Sequence, residues 1–267
     1  MKLRHVAILA ALLAGGLGGR SPFSIAEASA ATAAKPSITP EASAALTRMG
    51  QALQSKEFSF QARTIRVYAD PAGQLLHIFH TLKVTVRRPD RLLVDRTGDD
   101  GSGKLVYDGK TVIVYMASGN KYASIPVPGT IAGMMKVAMG RLGVDFPLAD
   151  FLTDAPNQAF LSGVTAGRVV NTVMIDGVPC LHLLFSQPPQ IDLELWLDKN
   201  QSLPQRLIVT YRSLPGQPDF VAEFSNWNFA IHPTDADFVF QPPAGAVKIA
   251  LKPPAAAAPA KATGSKP

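Results

Sequence analysis

Apolar and polar residues alternate with a period of two through most of this chain. Phe58-Ser59-Phe60-Gln61-Ala62-Arg63 opens the pattern. Leu76, Ile78, Leu82, Val84 and Val86 take alternate positions of a second long stretch, which His80 interrupts. Such alternation predicts strands with one buried and one solvated face. Shorter stretches follow over 91–96, 104–108, 111–116 and 121–125, and again over 166–175, 178–185, 191–197, 205–212 and 220–229. They lie close together and are joined by turn residues, which predicts an antiparallel meander; parallel units would need helices between strands, and none fit. Asp108-Gly109 and Asp176-Gly177 are hairpin signals that permit positive φ at both turn positions.

The period lengthens at two places. Thr39-Pro40-Glu41 joins a capping residue, a proline at the first helical position and an acid in the first turn. Ala42, Ala45, Leu46, Met49 and Leu53 then fall on one face, which predicts a helix ending near Gln54. After Pro128-Gly129, Thr130 caps a second predicted helix to about Leu142, and 147–152 adds a turn or two. This helix holds Met134, Met135 and Met139, three of the seven methionines of the chain. Methionine is flexible and polarisable, and it is frequent where a protein grips variable apolar partners. A Met-rich core helix is the plainer alternative.

The two ends differ from the body. Lys2 and Arg4 precede an uncharged run from Val6 to Leu17, and Ala28-Ser29-Ala30 supplies a small-x-small cleavage site, so residues 1–30 read as a secretory signal peptide. A membrane anchor is the weaker reading, because glycines and Arg20 interrupt a run already short of the about 20 apolar residues a span needs. No cysteine lies near the cleavage point to carry a lipid, and no later stretch is apolar enough to span, so a soluble mature protein is expected. From Lys252 the chain is Pro, Ala and Lys in the main, a composition expected to stay disordered. The predicted organisation is a linker over 31–37, one domain over 38–250 and a tail over 251–267. Of the formal charge of +6, the first thirty residues hold two and Lys248, Lys252, Lys261 and Lys266 hold four, which leaves the body neutral. A nucleic-acid binder needs a basic face, and none is supplied here.

Catalytic and metal chemistry find little to work with. Gly98-Asp99-Asp100-Gly101-Ser102-Gly103-Lys104-Leu105 imitates a phosphate-binding loop, but it lacks the final Ser or Thr, carries two acids and leads into a strand instead of a helix. It reads as a hairpin loop. His77 and His80 point to opposite faces of one strand, so they do not chelate together. Asp192 and Glu194 share a strand face with Trp196, and since Ile191, Leu193, Leu195 and Leu197 form the buried face, the acids read as solvated. Cys180, the single cysteine, sits in an apolar strand and reads as a small buried hydrophobe. No catalytic set, metal site or cofactor is predicted, and the chain is read as a non-enzyme.

Three longer stretches carry a resemblance: Val84-Thr85-Val86-Arg87-Arg88-Pro89-Asp90-Arg91-Leu92, Tyr107-Asp108-Gly109-Lys110-Thr111 and Asp176-Gly177-Val178-Pro179-Cys180-Leu181-His182. They resemble the predicted periplasmic proteins of the domain of unknown function 2092. Leu203-Pro204-Gln205-Arg206-Leu207 and Phe238-Val239-Phe240-Gln241-Pro242-Pro243 are similar to closing strands of the LolA/LolB-like lipoprotein-carrier superfamily. The resemblance implies a mainly β, α+β fold: a strongly curved antiparallel sheet, an incomplete barrel, with helices covering its concave face. It implies a periplasmic carrier or sensor that holds a lipid, a lipoprotein acyl chain or another apolar ligand between sheet and helical lid. Phe58, Phe60, Leu82, Val84, Met134, Met135, Leu193 and Leu195 are then the candidate walls. Arg63 and Arg66, on the first strand, are candidates for the arginine that the carriers require. The alternative is a protein-binding module in envelope stress signalling that takes no small ligand; an interior filled by its own aromatic side chains would favour it.

Overall fold

A computed structural model of the chain describes residues 37–250, apart from 71, 128 and 143–145. The expected signal peptide, the linker up to residue 36 and the tail from 251 lie outside the described residues. Helix α1 (Pro40–Ala52) begins as its sequence predicts. Thr39 is extended and its hydroxyl accepts from the Ala42 amide at 3.3 Å, which satisfies one of the donors left over at a helix start. The helix ends two residues before Gln54.

Six strands follow as a meander: β1 (Glu57–Ala69), β2 (Leu75–Arg87), β3 (Arg91–Gly98), β4 (Gly103–Tyr107), β5 (Thr111–Met116) and β6 (Lys121–Pro126). Helices α2 (Ile131–Leu142), α3 (Ala149–Leu152) and α4 (Pro156–Leu161) interrupt the sheet. A second meander then runs through β7 (Ala166–Ile175), β8 (Val178–Gln187), β9 (Ile191–Asp198), β10 (Pro204–Tyr211) and β11 (Asp219–Asn228). A 3-10 turn over Asp235–Phe238 leads to β12 (Val247–Lys248), which pairs parallel to β6. Sequence periodicity does not reveal α4 or β12, since six residues and two residues are too short to show a period.

The strands form one curved, unclosed sheet in the order β12-β6-β5-β4-β3-β2-β1-β11-β10-β9-β8-β7. The first meander grows outward from β1 and the second grows back inward to β11, so the long β1–β11 ladder, from Ser59↔Asn228 to Arg66↔Phe220, joins the halves. At the β7 edge, the Thr39 amide donates to the Gly167 carbonyl and the Gly167 amide to that of Ser37.

One sheet face and all four helices share a single core. Phe58, Phe60 and Ala62 of β1, Leu82, Val84 and Val86 of β2, and Leu193, Leu195 and Leu197 of β9 pack with Leu46 and Met49 of α1, Met134 of α2, Phe151 of α3 and Phe160 of α4. Phe151 meets Phe224 at 5.5 Å and Phe160 meets Phe185 at 5.4 Å, both edge-on. Each fully buried large side chain contributes roughly 1.5–3 kcal/mol.

The two Asp-Gly signals differ in outcome. Asp176 and Gly177 both take positive φ, +47° and +81°, as a tight hairpin requires. At the other site only Gly109 does, at +86°. Asp108 departs from the expectation because its carboxylate accepts from the amides of Lys110 (2.9 Å) and Thr111 (2.7 Å), which builds a three-residue connection instead.

Candidate functional site

The eight candidate wall residues all face the core. None is more than 8% exposed. Phe60 lies opposite Val84 in the β1–β2 ladder, and Leu82 opposite Ala62. The space in front of β1 is filled by rings: Phe60 stacks on Trp227 at 4.5 Å, Phe58 stacks on Phe60 at 6.4 Å, and Phe229 lies 5.9 Å from Phe58. Met134 and Met135 belong to the same cluster.

Arg88 closes one end of this core. It continues the inward series Leu82, Val84, Val86, so its side chain enters the apolar side, where it is 6% exposed. Its guanidinium donates to the carbonyls of Leu53 (2.5 Å) and Ser55 (2.6 Å) after α1, and to those of Phe151 (3.1 Å) and Leu152 (3.2 Å) in α3. It also lies 4.9 Å over the Phe58 ring. Burial pulls its pKa down to about 10, with Asp154 at 3.8 Å opposing, so it keeps its charge at neutral pH. Five fixed donors match orphan helix-end carbonyls in a way no lysine does. An arginine at an inward strand position was the available signal for this role, and sequence reasoning passed over it.

The opposite end of the strands is open. Along the core face of β1, Ala62 and Thr64 are buried, Arg66 is half-buried and Tyr68 is 50% exposed. A cavity of about 970 Å³ lies there, between the β1–β2 hairpin end and the β10–β11 connection. Its walls include Arg66, Tyr68, Tyr211, Leu214, Pro215 and Pro218, and none of the eight candidate walls. Tyr211 also packs against the core, so core and cavity adjoin. Arg66 lies 5.0 Å over the buried Phe220 ring, its neighbour across the ladder. Asp70, also a wall, turns its carboxylate to the amides of Ala72 and Gln74, both at 2.8 Å. Arg63 is exposed on the other sheet face, so alternation separates it from Arg66.

The polar outer face is an ion-pair ladder. His182 Nε2 lies 2.7 Å from Glu194 Oε2, and its ring stacks on Trp196 at 4.2 Å. Arg206 lies over Trp196 at 5.6 Å and pairs with Glu223 at 2.7 Å, while Arg212 pairs with Asp192 at 3.1 Å. Trp196 is therefore only 8% exposed, covered by His182 and Arg206 on a face expected to be solvated. The Gly98–Lys104 stretch is a hairpin loop, with the Phe79 amide donating to Asp99 at 3.0 Å. Asp100 pairs with Arg96 at 2.7 Å and with His80 at 2.9 Å; burial opposes its charge, but these hydrogen bonds hold its carboxyl below the usual range. Cys180 is buried and its thiol is pushed up by that burial. Among the described residues no three His, Cys, Asp or Glu side chains group to hold a metal ion, and no helix is long and apolar enough to cross a membrane.

Residues 42–252 match a family described as predicted periplasmic protein, DUF2092. No curated protein matches the sequence. Similar solved structures include the Mycobacterium tuberculosis lipoprotein LppX, 16% identical over 73% of this chain and 99% of its own, with a TM-score of 0.45. A LolA superfamily protein from Nitrosomonas europaea is 13% identical over 73% of this chain and 97% of its own, at 0.37. The Pseudomonas aeruginosa MucA/MucB complex contains a chain 17% identical over 75% of this one and 61% of its own, at 0.40. Likenesses this distant carry no ligand or partner to this chain.

Proposed function

The chain belongs to this family of predicted periplasmic proteins, and on that premise we propose that it is a periplasmic binding protein, not a catalyst, that holds the apolar part of a lipid or acylated ligand against the concave, helix-covered face of its sheet. One observation carries this reading. Along the inward series of β1 burial gives way to exposure from Thr64 to Tyr68, and an open cavity of about 970 Å³ with largely apolar and aromatic walls adjoins the packed interior there through Tyr211. That volume is at the upper end of what small-molecule sites enclose. A ligand enters at the open end and reaches Phe58, Phe60, Leu82, Val84, Leu193 and Leu195 as the helices shift. Met134 and Met135 repack at little cost, because methionine adapts to irregular space. Arg88 stays bonded to α1 and α3 and limits that movement to the far end.

The filled interior favours a second reading. Phe58, Phe60, Phe224 and Trp227 occupy the space an acyl chain would need, which suits a module that binds an envelope protein and takes no small ligand.

Native mass spectrometry of the mature protein, purified gently from the periplasm and followed by lipid extraction, separates the two. A co-purifying acylated species that is lost on Met134→Asp supports the carrier reading. Met134 is fully buried, so Leu214→Asp at the exposed rim is run beside it as a variant that keeps its fold. A ligand-free mass, with no uptake of a fluorescent fatty acid, sinks the carrier reading in favour of the protein-binding module.

A further inference from the structure

The two ends of the sheet are finished differently. At one end β12 pairs with Lys121 and Tyr122 of β6, and Lys121, Lys248 and Pro126 stand along that edge. Lysine and proline are residues that keep sheet edges apart. β7 forms the other end, with β8 as its strand neighbour. Among the described residues, the stretch before α1 reaches the outer side of β7 at Gly167, which Ser37 and Thr39 bond, and no bridge lies beyond it. From Val169 to Ile175 the strand reads Val-Val-Asn-Thr-Val-Met-Ile, with no charge, proline or glycine. A bulge between Val169 and Asn171 is the one protective device it carries. Val170 is 39% exposed and Met174 65%, the most exposed large apolar side chain among the described residues. Unpaired amides and carbonyls beside such side chains form a template for a further strand.

The charges that bracket this stretch point to the strand it takes. Arg168 and Asp176 each lie four residues from Thr172, on opposite sides of it. Both are exposed, and neither has an ion-pair partner among the described residues. We propose that β7 pairs with β7 of a second copy of this chain, antiparallel and centred on Thr172, so that the two sheets run on as one. In that register Arg168 faces the other copy's Asp176 at both ends, Val170 faces Met174, and the two Thr172 residues meet on the axis. Opposite charges and apolar pairs directly across two strands stabilise their pairing, whereas like charges destabilise it. The long Arg168 side chain spans the extra residue that the bulge inserts. Parallel pairing in the same register would set Arg168 against Arg168 and Asp176 against Asp176. An unrelated strand matches both charges only by chance, but a second copy matches them by symmetry. The contact closes on itself, and the lysines and proline at the far edge block further growth, so assembly stops at the dimer. The shared edge is short, which sets a reversible dimer in roughly the micromolar range. It is independent of what the cavity holds.

Sedimentation velocity of the mature protein over about 1–500 μM tests this, with a single monomer–dimer equilibrium expected. Arg168→Asp and Asp176→Lys should each weaken the dimer about tenfold or more, because each sets like charges together at both ends. Mixing the two variants should restore the wild-type affinity, since every facing pair then joins unlike charges; that recovery also shows both variants folded. Met174→Lys puts a lysine on the edge and should give a monomer. A Met174→Lys protein that dimerises like wild type overturns the proposal, whatever the two charge variants do. So does a dimer that neither charge reversal weakens, or species that grow beyond two copies with concentration. A wild-type protein that stays monomeric throughout overturns the second copy and leaves the edge to an extended segment of another protein. Amides of residues 171–174 that resist hydrogen exchange in the dilute monomer overturn it in favour of a segment of the same chain.

Discussion

Arg88 shows how much one side chain can hold in place. Its carbonyl partners sit at the ends of two helices distant in sequence, and burial has removed the water that would otherwise satisfy them. Arg88→Gln should lower unfolding free energy by about 3 kcal/mol, read from urea midpoints at constant slope. Arg88→Lys should recover little of it, because one ammonium cannot reach four carbonyls; a lysine variant as stable as wild type would refute the bridging role. Asp150 makes the opposite case. Burial raises the pKa of its carboxyl, so the folded state holds the proton more readily than the unfolded one. Stability is then lost as pH rises from the ordinary carboxyl range through the raised folded value. Asp150→Asn should therefore melt higher than wild type at pH 7, with the gap narrowing towards pH 4. A gap that widens on acidification would refute it. Arg88 was present in the alternation as a charge at an inward position, but period two reports a direction and not what waits there.

At the scale of elements, two identical dipeptides behave differently, and the difference can be measured. An alanine at position 177 meets no atom within 4 Å, so Gly177→Ala pays only for the positive φ, about 1 kcal/mol. At position 109 the added Cβ comes within 2.5 Å of Arg91 Nη1 and 2.6 Å of Asp90 Oδ2, which form an ion pair at 2.9 Å. Gly109→Ala should cost about 2 kcal/mol in thermal unfolding, clearly more than its counterpart; equal losses would show that backbone strain alone matters. Strand β1 holds a related lesson. Its buried positions are even-numbered up to Thr64, but Ile65 and Val67 move the apolar residues to the odd positions. The change of parity makes the sequence look as if the strand ends at Arg63, whereas it runs on to Ala69 with no fully buried position after Thr64. That change marks the open end.

For the whole molecule, the β1–β11 ladder and the helices are held by different means. The ladder is joined by backbone hydrogen bonds along central strands, and the helices by side-chain packing and by Arg88. Hydrogen exchange should therefore reach amides of α2 and α4 by local opening before those of β1 and β11. Simultaneous exchange of helices and ladder would mean that no separate opening exists. The sequence by itself determined the strands, most turns, the first helix cap and the family, because each depends on spacing or residue chemistry within about a dozen positions. Tertiary structure alone decided that β1 pairs with β11, across some 160 residues, since alternation marks a strand's face but not its neighbour. It also decided that the eight apolar candidates form a packed interior while the cavity lies beyond them, with Arg66 at the boundary. Where a packed interior ends and open space begins depends on how separate elements fill the space between them, and no local period in a chain records that distance.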